Sequence, residues 1–250
     1  MKTANNYNEF MKALGGKGDT YVFRGQCRKE YVLIPSGLRG TNIKKADEKM
    51  FKFVDEMKNL FAFDELTCIE IAQHFFLPTR MLDFTYSFDV ALFFACYGKN
   101  GSHMDEDGKV FIFNKTRYEN ILKERNKLSS QVIRNNKLLY EWLEKYIDRK
   151  TSNIGNMNID MPIFVDATRE FDRLYMQKGL FLLWGVDESS LEEIFKKEDI
   201  NITDLVEEII IPSKSKVKIL EELKNKNISE DTLYMNVAKI KELIADLKRE

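Results

Sequence analysis

The chain has 250 residues, with 39 Lys and Arg against 40 Asp and Glu, so its formal net charge is −1. That balance excludes a globally basic nucleic-acid binder, and a content of 4 Pro and 12 Gly excludes collagen-like and low-complexity chains. The length suits one or two domains with a core that needs no covalent staples.

The longest nearly apolar runs, Val90–Tyr97 and Gly179–Val186, fall far short of the ~20 residues that span a bilayer. The segment Met1–Phe10 has no apolar signal-peptide core. Three cysteines (Cys27, Cys68, Cys96) form an odd set with no Cys-x-x-Cys pair, which points to a reducing, cytoplasmic compartment. The only histidines are His74 and His103, so no His-rich metal site is expected. His103 falls in the loop Gly101–Met104 and is assigned no role.

In chain order, Thr20–Phe23 is a short β-prone run ending at Arg24-Gly25. Asp47–Phe61 places Met50, Phe51, Val54, Met57 and Phe61 at helical spacing. Leu66, Ile69 and Phe76 predict a second helix, stopped near Leu77 by Pro78. Ser87 predicts an N-cap for a helix over Phe88–Tyr97, with Asp89 in its first turn and Gly98 past its end. Lys109–Phe113, Leu180–Trp184 and Glu208–Ile211 read as strands, the last ended by Pro212. Between them, Lys115–Lys150 carries 10 basic and 5 acidic residues, with a helical stripe of Leu138, Leu139, Trp142, Leu143 and Tyr146. Thr151–Asp160 reads as a mobile polar loop. Asp187–Glu208 carries 9 acidic and 2 basic residues. Both charged stretches read as solvated faces. Both tryptophans, Trp142 and Trp184, read as packing residues. Strands and helices interleave without regular βαβ spacing, so the fold class is α+β: one domain over 1–250, a mixed or antiparallel sheet with flanking helices, and a helical, polar insertion at 115–160.

Three constellations can carry chemistry. Phe23-Arg24-Gly25-Gln26 puts an Arg at a strand end, where its fork can grip a phosphate or carboxylate, and a Gly that admits a close ligand. The segment from Ala72 to Ser87 embeds Gln73, His74, Thr79, Arg80, Asp83, Thr85 and Ser87 among large apolar residues. Buried polar groups need partners, so this is an internal network or a ligand site. Arg80 and Asp83, three apart, are expected to pair as a brace. The third is Arg173–Gly179, where Gln177 can project an amide into a cleft.

These residues identify a resemblance to the FRG-domain family. It rests on Phe23-Arg24-Gly25-Gln26, on Ile34-Pro35-Ser36-Gly37-Leu38-Arg39, and on Ala72-Gln73-His74 through Leu77-Pro78-Thr79-Arg80, Leu82-Asp83-Phe84-Thr85 and Ala91-Leu92-Phe93-Phe94-Ala95. It continues in Arg173, Gln177, Gly179 and Phe181, and in Ile211-Pro212, Lys216, Ile219-Leu220 and Ile228 to Leu233. Phe76 stands where this family usually has Gly, and is expected to fill space near Pro78. The order of elements is also similar to that of ADP-ribosyltransferases, which hold NAD with an Arg on an early strand, a Ser/Thr strand and a later Glu or Gln. Arg24, Thr85 with Ser87, and Gln177 stand in that order.

The resemblance implies a nucleotide-binding cleft and an NAD-dependent, ADP-ribosyltransferase-like effector, a toxin or anti-phage protein of prokaryotic or phage character. Arg24 would clamp the pyrophosphate and Gln26 orient it. Thr85 and Ser87 would shape the nicotinamide-ribose pocket, Gln177 would bond a ribose hydroxyl or the acceptor, and His74 would act as general base. Gln73 and Thr79 would contact the ligand, with Arg80 and Asp83 as braces. No Glu stands at the Gln177 position, and an amide stabilises a cationic sugar less than a carboxylate does. The alternatives are a non-catalytic nucleotide-sensing module and a protein-interaction module; a nucleic-acid or membrane partner is not expected.

Overall fold

The structure, a computed structural model, describes residues 2–61, 63–125, 153–154, 157–158, 161–167, 177–185 and 187–234. The Trp142 stripe and Arg173 lie outside them. Seven strands form one open sheet: β1 Lys2–Thr3, β2 Tyr21–Gln26, β3 Met81–Thr85, β4 Gly108–Asn114, β7 Ile163–Asp166, β8 Gly179–Leu183 and β9 Val206–Ile211. Their order is β1-β9-β4-β2-β3-β8-β7. β1 runs parallel to β9 and every other pair is antiparallel. The architecture is α+β with a mixed sheet, as the sequence predicts.

Eight helices flank it among the described residues: α1 Tyr7–Leu14, α2 Ile43–Leu60, α3 Glu65–His74, α4 Phe88–Cys96, α5 Lys115–Glu124, α6 Leu191–Lys197, α7 Ser213–Lys224 and α8 Glu230–Leu233. None is long and apolar enough to cross a membrane. Strand alternation assigns them to two cores. On β4, Phe111 and Phe113 face one core with α2, α3, α5 and α6. Val110 and Ile112 face the other, with α1, α4, α7 and α8. Phe113 anchors the first core, meeting Phe84, Phe164 and Tyr118 edge-on at 5.9, 5.2 and 5.4 Å between ring centroids. Trp184 is fully buried and donates its indole N–H to Ser189 O.

Several boundaries differ from expectation for local reasons. α2 begins at Ile43, because the Asn42 side chain caps Lys45 N. β2 runs through Arg24 and Gly25 rather than ending there. β3 and α1 were not anticipated, although Asn6 caps α1 and Gly15, at φ 66°, ends it. Residues 153–154 (β5) and 157–158 (β6) pair as a short hairpin, so this part of the expected loop is structured.

Two buried cations tie distant segments. Lys216 on α7 is 0% exposed, and its Nζ donates to Cys27 O (2.8 Å) and His103 O (2.7 Å). Burial pushes its pKa down. Arg80 is buried and grips Asp47 of α2 through Nε (2.9 Å) and Nη2 (2.8 Å), while Nη1 donates to Gly185 O. The expected Arg80–Asp83 brace is therefore corrected. Arg80 precedes β3 and Asp83 lies within it, and residues three apart on extended chain project to opposite sides.

Removing one partner of such a pair costs ~3–5 kcal/mol, because the other charge stays buried and unpaired. Asp47→Ala should lose that much in urea denaturation. The double variant Asp47→Leu/Arg80→Met should recover most of it, since no buried charge then remains.

Candidate functional site

β2 and β3 pair at one register position, Phe23↔Thr85. Beyond it the strands diverge, and a cleft opens between them. Arg24 bridges the gap: its Nη1 donates to Asp83 O at 2.7 Å, a side chain standing where a ladder N–H would otherwise reach. With its amide oriented to satisfy both ends, Gln26 accepts from Arg24 Nε (3.3 Å) and donates to Tyr31 O (3.0 Å). Gln26 thus orients the arginine while it also lines the first chamber. The Arg24 side chain is 15% exposed, and the Asp83 carboxylate lies 3.8 Å from Nη1. Burial pushes the Arg24 pKa down to about 10; Asp83 opposes that shift and Arg39 adds to it. The group is still a cation at neutral pH.

The cleft has two chambers. The first, about 270 Å³, includes Arg24, Gln26, Thr85 and Gln177 in its lining, with Tyr31, Phe94, Tyr97 and Tyr234. The second, about 240 Å³, includes Gln73, His74, Ser36 and Glu70. Arg24, Arg39, Asp83 and Gln177 line both. Arg24, Thr85 and Gln177 therefore share one chamber, and His74 lines the next.

Each remaining side chain has a visible assignment. Thr85 Oγ1 donates to Gln177 O (2.6 Å) and accepts from Ser87 N (2.9 Å), so it fixes the entry to β8. Gln177 donates one amide N–H to Leu233 O at 3.1 Å. Ser87 caps α4 through Val90 N and lines neither chamber. Thr79 is 1% exposed; its hydroxyl donates to Gln73 Oε1 and accepts from Met81 N, and it too lines neither chamber. Thr79 and Ser87, expected as ligand contacts, thus bond to the protein's own groups here. Gln73 then donates to Asp83 Oδ1 at 2.6 Å, holding that carboxylate at the cleft wall. The Asp83 side chain is 62% exposed, so it is a cleft residue and not a buried brace.

Gly25 makes room for a helix and also lines the first chamber. A Cβ there would sit 1.8 Å from Ala91 O and 2.6 Å from Ala95 N, both on α4. Gly108 on β4 is equally close to Ala95 O, at 2.0 Å. α4 lies directly on the sheet and thereby brings Phe94 and Tyr97 to the first chamber. Gly37 plays the same part for Arg39: its N–H donates to Thr79 O at 2.8 Å, and a Cβ would meet that oxygen at 2.7 Å.

Phe76 ends α3 at φ 64°, the left-handed conformation that Gly favours. Its N–H donates to Gln73 O, and the N–H of Leu77 donates to Ala72 O, the paired bonds of a Schellman cap. The side chain is 65% exposed, so it does not fill the space near Pro78. The turn keeps the shape a glycine would give it.

Sequence reasoning missed Tyr31, Phe94, Tyr97, Tyr234 and Glu70 as cleft residues, and gave Arg39 no role. Arg39 was the most accessible of these, standing in the Ile34–Arg39 motif. The aromatic residues carry no local signal, because burial in a core and exposure in a cleft demand the same side chains. Among the described residues, no group of three or more His, Cys, Asp or Glu is placed to hold a metal ion.

The FRG domain, as a sequence family, matches residues 19–104. The match covers β2, β3 and α4, with Arg24, Arg39, Gln73, His74, Asp83 and Thr85, and leaves β4 to α8 outside. No curated protein and no solved structure matches the chain.

Two substitutions test this geometry. Gly25→Ala should lose about 3 kcal/mol or more of stability in urea, because its Cβ meets helix backbone that cannot rotate away. Phe76→Gly should gain about 0.5–1 kcal/mol: the relieved left-handed strain of ~1–2 kcal/mol exceeds the extra entropy that glycine loses.

Proposed function

For a protein of the FRG-domain family with this cleft, we propose binding of a nucleotide-like phosphate ligand, with NAD as first candidate. One observation carries the reading. Arg24 is anchored by Gln26 and Asp83 O at the point where the sheet divides, and its guanidinium lines both chambers. A fixed fork has already met the entropic cost of ordering, and charge-assisted contacts to phosphate are worth ~1.5–3 kcal/mol each.

In the finer reading the protein is an NAD-dependent ADP-ribosyltransferase-like effector. His74 then serves as general base from the second chamber. Asp83 is the carboxylate shared by both chambers, and it supplies the negative charge that Gln177 lacks for a cationic sugar. A toxin or anti-phage role rests on the family resemblance alone. The non-catalytic alternative is favoured by one feature: Gln177 carries an uncharged amide where a transferase would place a carboxylate, and one of its N–H groups is bonded to Leu233 O.

Calorimetry with NAD, ADP-ribose and ATP, alongside a nicotinamide-release assay, separates these readings. Binding without release selects the sensor. Arg24→Ala should abolish binding, and Arg24→Lys should retain part of it; no heat with any of the three up to ~1 mM rejects the nucleotide reading. The pH profile is a further check. Arg24 is protonated below its pKa of about 10, so affinity for an anion should hold from neutral pH to ~9 and fall as pH rises through ~10.

A further inference from the structure

The two chambers share a wall but differ in chemistry. The first is aromatic, with Tyr31, Phe94, Tyr97 and Tyr234. The second sets Glu70, Gln73 and His74 among the apolar side chains of Phe76, Leu82 and Phe181. Small-molecule sites usually measure ~300–1,000 Å³. At about 270 and 240 Å³, each chamber alone falls short and only the two together reach that range.

The shared wall carries two guanidinium groups, Arg24 and Arg39, against one carboxylate, Asp83. Arg39 is fixed by donating Nε (3.0 Å) and Nη2 (2.8 Å) to Ile34 O. Arg39 lies close enough to Arg24 for its charge to push the Arg24 pKa down. With the Nε of each guanidinium already bonded to protein, one phosphate can meet the remaining N–H groups of one arginine. Two adjacent phosphates satisfy both and relieve the repulsion between them.

We propose that the cleft takes a nucleoside diphosphate that carries a sugar on its terminal phosphate. The base stacks in the aromatic chamber, where every nucleobase offers a π-face. The pyrophosphate spans Arg24 and Arg39. The terminal sugar enters the second chamber, whose lining includes the polar side chains of Ser36, Gln73 and His74. This rests on the nucleotide reading above and narrows it to a ligand class.

The test is calorimetry of the full chain with AMP, ADP and ADP-ribose. Affinity should rise about tenfold from AMP to ADP, as the second arginine is engaged, and about tenfold again to ADP-ribose. Arg39→Gln should remove the advantage of ADP over AMP while leaving AMP within about threefold. His74→Ala should remove the advantage of ADP-ribose over ADP. Arg39→Lys, which keeps the charge without the fork, should fall between, and serves if the Gln variant melts early. ADP-ribose binding no tighter than ADP, or Arg39→Gln weakening AMP as much as ADP, would overturn the two-chamber assignment and leave nucleotide binding standing. Absence of heat with all three would overturn both.

Discussion

A single ladder position joins the two halves of this sheet. On one side lie β1, β9, β4 and β2; on the other lie β3, β8 and β7. They meet at Phe23↔Thr85 and then part. A parting sheet leaves backbone groups without partners, and such groups are costly when buried. Arg24 resolves this by reaching across to Asp83 O. The same side chain that closes the backbone accounting also presents its charge to the cleft. Structure and candidate function therefore draw on one guanidinium, and the cleft exists because the strands diverge.

The polar residues of the segment 73–83 divide by direction. Arg80 and Thr79 turn inward, where Asp47, Gly185 O and Gln73 absorb their hydrogen bonds. Gln73 and Asp83 turn to the cleft and hold each other at its wall. The outcome is a chain of contacts from Thr79 through Gln73 and Asp83 to Arg24. A charge fixed in this way reorganises little when a ligand arrives, and pre-organisation is what converts contacts into affinity.

Much of the fold was legible in the sequence, and its failures have physical causes. α2 shows a clean apolar stripe because one of its faces meets solvent. α3 was read from Leu66, Ile69 and Phe76 although it is buried at every position from Leu66 to Ala72, and its end was misplaced because the stop is Phe76 in a glycine's conformation rather than Pro78. β9 was visible as an apolar run ended by Pro212. β3 was not, because Met81-Leu82-Asp83-Phe84-Thr85 is buried at every position but Asp83 and does not alternate. At the site, Arg24, Thr85 and Gln177 were singled out by type and position. Their partners were not, since pairing across a sheet depends on register that spacing alone does not reveal. Asp83 was given to Arg80 for want of knowing that Arg24 lay opposite.

Lys216 has a consequence for how the molecule is assembled in time. The carbonyls it holds belong to Cys27 and His103, both far earlier in the chain, and β1 near the amino end pairs with β9 at 206–211. β2 and β3, the sheet strands among the described residues of the stretch matched to the family, share just one ladder position. Contacts of such long sequence separation make folding slow, because loop closure must precede its reward. A chain emerging from the ribosome could not finish this sheet strand by strand. The early strands must wait, with one edge of β4 open, until residues beyond 206 arrive to cover it.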